Sequence, residues 1–254
     1  MRLPVPKGFT RARVGATHLV AHESCAGWAR DVLAHETLYA WAARHPERRA
    51  LPGRMPAYAV PLPNDARRAV VRHGHHGGML AGLLKDAFLP PTRAPYELLA
   101  SYLLASAGVL TPPVLAFAIY RAGWILRRSD FVTLELPGRD LGSALNEHPE
   151  TAARHAWLQP IGDLVRALTR AGAWHQDLNV RNILLVPNAE GLHNAFVLDV
   201  DRVRFAPPGD PNVRDANIAR LERSVRKWRA LHGSGFDDAE LRELRAIASA
   251  PASA

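Results

Sequence analysis

The spacing of apolar and polar residues predicts short strands in the first half of the chain. Apolar stretches at 55–62 and 68–73, on either side of turn residues at 63–65, predict two edge-like strands of a small sheet. Longer stretches at 114–120 and 124–136 predict a β-hairpin, because the residues between them favour a turn. The pattern therefore predicts an antiparallel sheet in this part of the chain.

Helical spacing of apolar residues accompanies these strands. It predicts one short amphipathic helix at 27–45, a second helix at 78–88 and a longer helix at 92–107. Thr92 is the expected N-cap of the longest helix, and Gly108 is expected to end it. The inward side of this helix is expected to carry Leu98, Leu99, Tyr102, Leu103 and Ser106. One main helix is thus expected to pack on the sheet.

Beyond a break at Leu136-Pro137-Gly138 the pattern becomes mainly helical. Helices are predicted at 141–147, 151–171 and 215–231. The order of elements predicts an α+β protein of two lobes with a cleft between them. The expected parts are an N-terminal extension with a short helix (1–45), a small antiparallel-sheet N-lobe with one main helix (46–137) and a mainly helical C-lobe (138–254).

The composition is that of a globular chain. Its 254 residues are 48% hydrophobic and 22% charged, which excludes a disordered, collagen-like or coiled-coil protein. The single cysteine, Cys25, cannot form an internal disulfide and suits a reducing compartment. The first residues lack the apolar run of a secretory signal. We therefore expect the protein in the cytoplasm.

One uncharged stretch, 98–120, is long enough to cross a bilayer. Hydroxyl-bearing residues and the pair Pro112-Pro113 interrupt it, whereas a membrane span needs continuous backbone hydrogen bonding. We expect a buried helix followed by a strand rather than a membrane span.

The formal net charge of +8 is concentrated in two segments. Residues 44–72 contain seven arginines against two acidic residues, and residues 202–229 contain seven arginines and Lys227 against three. Such segments attract phosphate-bearing partners or an anionic membrane surface. A general preference for arginine over lysine is the alternative explanation, because the chain has only three lysines. Nucleic acid is not an expected partner, since no aromatic-basic alternation accompanies the charge.

The stretch 174–186 holds the residues with the clearest chemical meaning. A polar loop with His175, Asp177 and Asn182 lies between a predicted helix and an apolar β-run. A second β-run ends at Asp199, after a turn. We expect this hairpin to bring Asn182, at the start of one strand, close to Asp199, at the end of the other.

These residue types suit phosphoryl transfer. Amide and carboxylate oxygens, here of Asn182 and Asp199, are hard ligands for Mg²⁺, and Asp177 stands beside them as a base for an attacking hydroxyl. The structural alternative is that Asp177 and Asn179 cap a turn, while Asp199 and Asp201 are polar strand ends. The combined pattern H-x-D-x₄-N followed by a hairpin ending in Asp favours the catalytic interpretation.

With this motif the sequence resembles the protein-kinase-like superfamily, whose catalytic loop reads H-x-D-x₄-N. More narrowly it resembles the bacterial lipopolysaccharide kinase family, and within it the kinases of 3-deoxy-D-manno-octulosonic acid (Kdo). The resemblance runs over about residues 53–231 and includes the segments 70–73, 86–89, 97–99, 157–162, 198–202 and 217–227. It implies transfer of the ATP γ-phosphate to a sugar hydroxyl of Kdo-lipid A, at the cytoplasmic face of the inner membrane.

The resemblance also implies roles for single residues. Asp177 would be the base, and Asn182 and Asp199 would hold Mg²⁺. Glu97 would pair with a cation on the preceding strand, where the family has lysine and this chain has Arg72. Arginine can clamp phosphate oxygens in bidentate fashion, so the replacement is physically tenable.

Other positions near the nucleotide are assigned on weaker patterns. Lys85 is the alternative cation, and Gly53 and Arg54 are the candidates for a glycine loop over the phosphates. Three histidines, His73, His75 and His76, are clustered in the sequence. Three roles are open for them: a zinc site, a contact with an anion, or plain exposure to solvent.

The basic helix predicted at 215–231 is a candidate for substrate contact. Its apolar stripe would pack on the C-lobe, while Arg223 and Lys227 on its basic side would contact the anionic glycolipid or phospholipid headgroups. Two alternatives remain open: a kinase of the same fold with another acceptor (a heptose, a small molecule or a protein), and a catalytically silent, membrane-associated binding protein. The sequence leaves the oligomeric state open.

Overall fold

The computed structural model describes residues 5–51, 56–63, 65–74, 92–147 and 150–250. The chain divides into two compact units. The first lies within residues 1–99 and 113–135, and the second within residues 100–112 and 136–254. Helices and strands are both well represented, so the predicted α+β class is confirmed.

The first unit is built on a seven-stranded antiparallel sheet with the spatial order β1-β2-β6-β7-β5-β4-β3. Its strands are β1 (Phe9–Val14), β2 (Thr17–His22), β3 (Arg49–Leu51), β4 (Ala57–Pro61), β5 (Arg68–His73), β6 (Val114–Ala122) and β7 (Leu126–Leu134). The predicted β6–β7 hairpin is confirmed, and β5 has the predicted bounds.

Both faces of this sheet are covered. Leu19 and Ala21 of β2 join a buried cluster with helices α1 (Ala26–Leu33) and α2 (Leu38–Arg44). Val20 points to the opposite face and joins a second cluster with the start of helix α3 (Ala94–Ser106). Because neighbouring strand residues point to opposite faces, a sheet covered on both sides shows little alternation of polar and apolar residues.

Three features of the first unit differ from the prediction. The strands β4 and β5 are interior strands rather than edge strands, because β3 and β7 pair with their outer sides. The hairpin β1–β2 was not predicted, although it lies within the residues 1–45 expected as an extension. The single helix expected at 27–45 is two helices, α1 and α2. The segments β1–β2 and β3–β5 become part of one sheet because β2 and β5 pair with strands that are distant in the sequence.

The long helix α3 is confirmed, but its predicted cap is wrong and its predicted inward side is right only in part. The helix starts at Ala94, and within the described part of the chain the hydroxyl of Thr92 has no hydrogen-bond partner. Leu98 is buried as predicted, but Tyr102 and Leu103 are exposed, and Leu104, which was not predicted to face inward, is buried. Because the helix is apolar on nearly all sides, its periodicity does not select the face that packs. The helix predicted at 78–88 lies outside the described residues.

The stretch 98–120 contains the end of α3 and the start of β6, as predicted for a buried helix followed by a strand. Among the helices in the described ranges, none combines the length and the apolar character that crossing a bilayer requires. Cys25 is buried, and burial raises the pKa of its thiol to about 11, so the thiol stays protonated.

Within its described residues, the second unit contains four α-helices and two small sheets besides the end of α3. Its helices are α4 (Leu141–Glu147), α5 (Thr151–Arg170), α6 (Pro211–His232) and α7 (Asp238–Ser249). Its strands are β8 (Arg139–Asp140), β9 (Ala173–His175), β10 (Ile183–Pro187), β11 (His193–Val197) and β12 (Val203–Phe205). The strands pair as β11-β10-β8 and β12-β9. This unit is mainly helical, as predicted.

The centre of the second unit is α5, which was predicted at 151–171 and buries one apolar face. Helix α7, which was not predicted, packs against it: a Cβ on Gly162 would come 2.4 Å from a side-chain carbon of Ile247. A capping box of Asp237 and Glu240 starts α7, and Glu240 also pairs with Arg154 of α5 at 2.9 Å. The small residue at 162 thus allows the two helices to approach closely.

Candidate active site

The candidate site begins at the short strand β9, which helix α6 holds in place. The side-chain amide of Asn217, on α6, accepts a hydrogen bond from the backbone N–H of His175 at 3.0 Å. The same amide donates to the carbonyl of Ala173 at 2.9 Å. Asn217 is fully buried, so both bonds are protected from water. Together they fix the strand that leads into the polar loop.

The ring of His175 links the two segments that carry the candidate carboxylates. Its Nδ1 accepts a hydrogen bond from the backbone N–H of Asp177 at 3.2 Å, so its Nε2 donates to the carbonyl of Leu198 at 2.9 Å. Burial lowers the pKa of His175, which keeps the ring neutral near pH 7. The histidine is therefore a structural bridge rather than an acid or a base.

Two asparagine side chains shape the loop after Asp177. The amide nitrogens of Asn179 and Asn182 both donate to the backbone carbonyl of Asp177, at 2.8 Å and 2.9 Å. The amide oxygen of Asn179 accepts from the backbone N–H of Arg181, which caps a single 3₁₀ turn at Val180–Asn182. Because the nitrogen of Asn182 is engaged in this bond, its oxygen is the atom that can bind a cation.

The hairpin β10–β11 brings Asp199 to the same end as Asn182. Ile183 pairs with Val197, and one step further the backbone N–H of Leu198 donates to the carbonyl of Asn182 at 2.9 Å. Asp199 follows with φ 53° and ψ 52°, in the left-handed region. Among the described residues it is the only one other than glycine with positive φ. Such strain is concentrated at functional sites.

The carboxylate of Asp177 forms an ion pair with Arg220 of α6. The two side chains are 37% and 39% exposed, so the pair contributes about 1 kcal/mol or less to stability. Its main effect is to orient the carboxylate. The sequence shows Arg220 only as one of several basic residues of the helix, and its contact with Asp177 depends on how α6 packs.

The predicted substrate residues lie on the same side of α6 as Arg220. Ser224, one turn after Arg220, accepts a hydrogen bond from the backbone N–H of Val180 at 3.2 Å, which anchors this side of the helix to the loop. Arg223 and Lys227, three and seven residues after Arg220, are exposed. A basic, solvent-accessible stripe therefore borders the carboxylate of Asp177.

Two of the residues that are predicted to lie near the nucleotide form an ion pair in the first unit. Arg72 of β5 pairs with Glu97 of α3, and Glu97 is buried. The guanidinium of Arg72 also lies over the ring of Phe131, 5.1 Å from its centroid. Both contacts restrict the position of Arg72. The role of these residues toward a nucleotide stays a prediction, and Gly53, Arg54 and Lys85 lie outside the described residues.

The histidine next to Arg72 belongs to a buried hydrogen-bond network. The Nδ1 of His73 lies 2.5 Å from a carboxylate oxygen of Asp130, which is fully buried. Asp130 also accepts from the hydroxyl of Tyr120 at 2.7 Å and from the backbone of Tyr39 at 2.8 Å. In the described ranges, no group of three His, Cys, Asp or Glu side chains could hold a metal ion. His75 and His76 lie outside these ranges.

Comparison with known protein families shows to which family the chain belongs. The sequence model of the Lipopolysaccharide kinase (Kdo/WaaP) family matches residues 58–246, which is more than half of the chain. The chain belongs to this family. It is therefore a phosphotransferase of lipopolysaccharide biosynthesis, as the sequence predicts, and membership of the family implies the use of ATP.

Several curated proteins are similar to this lipopolysaccharide kinase. A 3-deoxy-D-manno-octulosonic acid kinase of Vibrio parahaemolyticus serotype O3:K6 is 31% identical over 187 residues, which cover 70% of this chain and 74% of that protein. One of Vibrio vulnificus is 27% identical over 210 residues, covering 80% and 84%. One of Xanthomonas campestris pv. campestris is 30% identical over 187 residues, covering 70% and 68%.

A solved structure is similar to this family member in fold. It is described as WaaP in complex with acyl carrier protein. The match has a TM-score of 0.55 at 18% sequence identity and covers 91% of this chain and 88% of that chain. At this identity the likeness shows the fold alone, and it confirms the predicted kinase-like fold.

Proposed function

We propose that this protein transfers the γ-phosphate of ATP to a sugar hydroxyl of Kdo-lipid A, in the inner core of lipopolysaccharide, with Asp177 as the base. The observation that carries the proposal is the network in which His175 and Asn182 hold the backbone of Asp177 beside the hairpin that ends in Asp199. A base held in this way can orient a hydroxyl and accept its proton. The curated relatives named as Kdo kinases support the choice of acceptor.

The donor atoms near Asp177 suit Mg²⁺. The amide oxygen of Asn182 and the carboxylate of Asp199 are hard oxygen ligands, and Mg²⁺ binds through few protein groups because it keeps several waters. When bound, the ion would neutralise charge on the phosphate oxygens of ATP. The base and both metal ligands then lie in the predicted C-lobe, residues 138–254.

For the nucleotide we assign a phosphate contact to Arg72. Its guanidinium is held by Glu97 and by the ring of Phe131, which leaves a planar group with restricted motion. Such a group can bind two phosphate oxygens at once and keeps its charge at any working pH. Gly53 and Arg54 remain our candidates for a loop over the phosphates.

We further propose that the glycolipid is bound at the basic side of α6. Arg223 and Lys227 are exposed on the side of the helix that contacts the loop of Asp177. They would pair with the negative groups of the acceptor or with phospholipid headgroups. The protein would then work at the cytoplasmic face of the inner membrane, as a peripheral protein.

The ion pair between Arg220 and Asp177 predicts a positioning role for Arg220. We expect Arg220→Gln to lower kcat about tenfold with little change in the KM for ATP, because the carboxylate loses the group that orients it. Arg220→Lys, which keeps the charge, should recover part of the lost kcat. Steady-state kinetics measures both constants.

The control for this prediction is Arg226→Gln on the same helix. Arg226 is paired with Glu222 and Asp238, away from the loop of Asp177. It should leave kcat near the native value. Equal losses in the two variants, or a loss confined to thermal stability, would show that Arg220 acts only through the fold.

The acceptor is tested by transfer of label from γ-labelled ATP. We expect Kdo-lipid A to be phosphorylated in the presence of Mg²⁺, and a heptose-bearing acceptor and an unrelated alcohol to be phosphorylated far more slowly. Label found mainly on the heptose would make the protein a kinase of the same fold with another acceptor. No transfer to any acceptor, with ATP still bound, would favour a silent binding protein.

A further inference from the structure

The tip of the β6–β7 hairpin exposes large apolar side chains. We define the hairpin tip as residues 121–128. Trp124 is 98% exposed and Ile125 is 65% exposed, which places two large apolar side chains in water at the end of the sheet. Gly123, with φ 82°, makes the turn that projects them. Side chains this exposed contribute almost nothing to the stability of the fold, so their presence calls for an external contact.

The residues around these apolar side chains are basic. Arg121 lies directly opposite Arg127 in the strand register, and Arg128 lies opposite Tyr120. Like charges directly opposite on paired strands destabilise a sheet. The sequence has no acidic residue between positions 114 and 129. The guanidinium of Arg127 donates to the backbone carbonyl of Leu126 at 2.9 Å, so it stays at the tip, and the tip is rich in positive charge that an anionic partner would neutralise.

The neighbouring hairpin β1–β2 extends this basic surface. His18 pairs with Arg13 on one side and with Ile119 of β6 on the other, so the turn of β1–β2 lies at the same end of the sheet as the hairpin tip. Arg13 and His18 are exposed. No acidic residue occurs between positions 5 and 22. Two adjacent turns thus present arginines around Trp124 and Ile125.

We propose that the hairpin tip inserts into the headgroup region of an anionic phospholipid bilayer. Tryptophan prefers this region because its ring is apolar while its N–H can still donate a hydrogen bond. The arginines would contact lipid phosphates, and the anionic surface would neutralise the positive charge of the tip. The inference does not depend on the proposed kinase reaction, since it concerns a surface of the first unit and lipid alone.

A lipid surface fits the tip better than a protein does. Specific protein interfaces bury a broad surface with about twenty or more residues on each side, whereas the apolar part of the tip is limited to a few residues. Membrane binding needs only a small apolar wedge together with several cations, because the buried apolar area and each cation contribute separately to the free energy of binding. The shape and charge of the tip meet this requirement.

The test is co-sedimentation of the full chain with vesicles, in the absence of ATP and glycolipid. Vesicles of phosphatidylethanolamine with one quarter phosphatidylglycerol should bind the native protein, and vesicles of phosphatidylcholine alone should bind it much less. The double variant Trp124→Ser, Ile125→Ser should bind the anionic vesicles about tenfold more weakly or worse. The tryptophan fluorescence of Trp124 is the difference between the native protein and Trp124→Phe. Brominated lipids should quench this part of the fluorescence in the native protein.

The matched control is Leu192→Ser. Leu192 is 56% exposed at the turn between β10 and β11, beside the acidic Glu190 rather than among arginines. This variant should bind vesicles like the native protein. A second pair, Arg121→Gln with Arg128→Gln, should weaken binding severalfold and reduce its dependence on salt.

Two results would overturn the proposal. The first is native-like vesicle binding by the double variant, which would move the membrane contact elsewhere, for example to the basic side of α6. The second is a loss of vesicle binding in Leu192→Ser as large as that in the double variant, which would show that the effect is not specific to the hairpin tip. Either result leaves the proposed kinase reaction untouched, since the assay contains neither of its substrates.

Discussion

The Asp177→Asn variant is expected to lose about two orders of magnitude or more in kcat while it binds ATP about as tightly as the native protein. Asparagine has the size of aspartate but cannot accept a proton from the attacking hydroxyl. The backbone of residue 177 is held by His175, Asn179 and Asn182, so the loop should keep its conformation in the variant. Single-turnover phosphate transfer measures the chemical step, and calorimetry measures ATP binding.

The control for this prediction is Asp163→Asn. Asp163 also forms an ion pair with an arginine, Arg166, but on the surface of α5. The control therefore repeats the loss of a carboxylate–arginine pair without touching the loop, and it should leave kcat near the native value. An unchanged rate in Asp177→Asn would remove this residue from the mechanism. A loss of ATP affinity equal to the loss of rate would indicate a damaged site instead.

The Asp199→Ala variant is expected to lose Mg²⁺-dependent binding of ATP. Asp199 is the charged member of the proposed ligand pair, and the remaining amide of Asn182 is a weaker ligand for the ion. Calorimetric titration of ATP with and without Mg²⁺ measures the effect as the difference between the two titrations. That difference should be large in the native protein and near zero in the variant.

A second variant, Asp199→Asn, distinguishes the loss of a metal ligand from a change in the backbone conformation at this position. Alanine is disfavoured at the φ of 53° that Asp199 adopts, whereas asparagine tolerates this region at least as well as aspartate. Asp199→Asn should therefore keep the native stability and still lose most of the Mg²⁺ dependence. Asp215→Ala, which removes an exposed carboxylate of α6, is the control. Mg²⁺-dependent binding retained by both Asp199 variants would contradict a metal role.

Much of the second unit follows from local sequence signals. Helix α4 has the predicted bounds, and α5 ends one residue before the predicted position. The hairpin β10–β11 lies where its apolar runs and turn residues predict it. These elements carry strong periodicity and clear breaks at their ends. Helix α7 was missed because its short amphipathic pattern lies next to an alanine-rich end.

The first unit depends more on distant contacts. Strand β1 alternates arginines with small apolar residues and becomes part of the sheet through β2, which pairs with β6 about a hundred residues later. Strand β3 is three residues long and makes β4 an interior strand. Neither segment has a strong strand signal of its own. A strand gains most of its stability from the strands beside it in the sheet, and the order of strands along the chain does not show which strands these are.

The sequence by itself determined the polar loop of the candidate site. Asn179 and Asn182 lie two and five residues from the carbonyl that they bind, so these bonds need only the backbone angles of one turn. Only the tertiary structure decided the contact between Asp177 and Arg220, which are 43 residues apart. That contact requires α6 to pack against β9, and such packing depends on buried surfaces along the whole unit. The same reason explains why the exposed side of α3 and the place of Arg13 beside the hairpin tip emerged only from the fold.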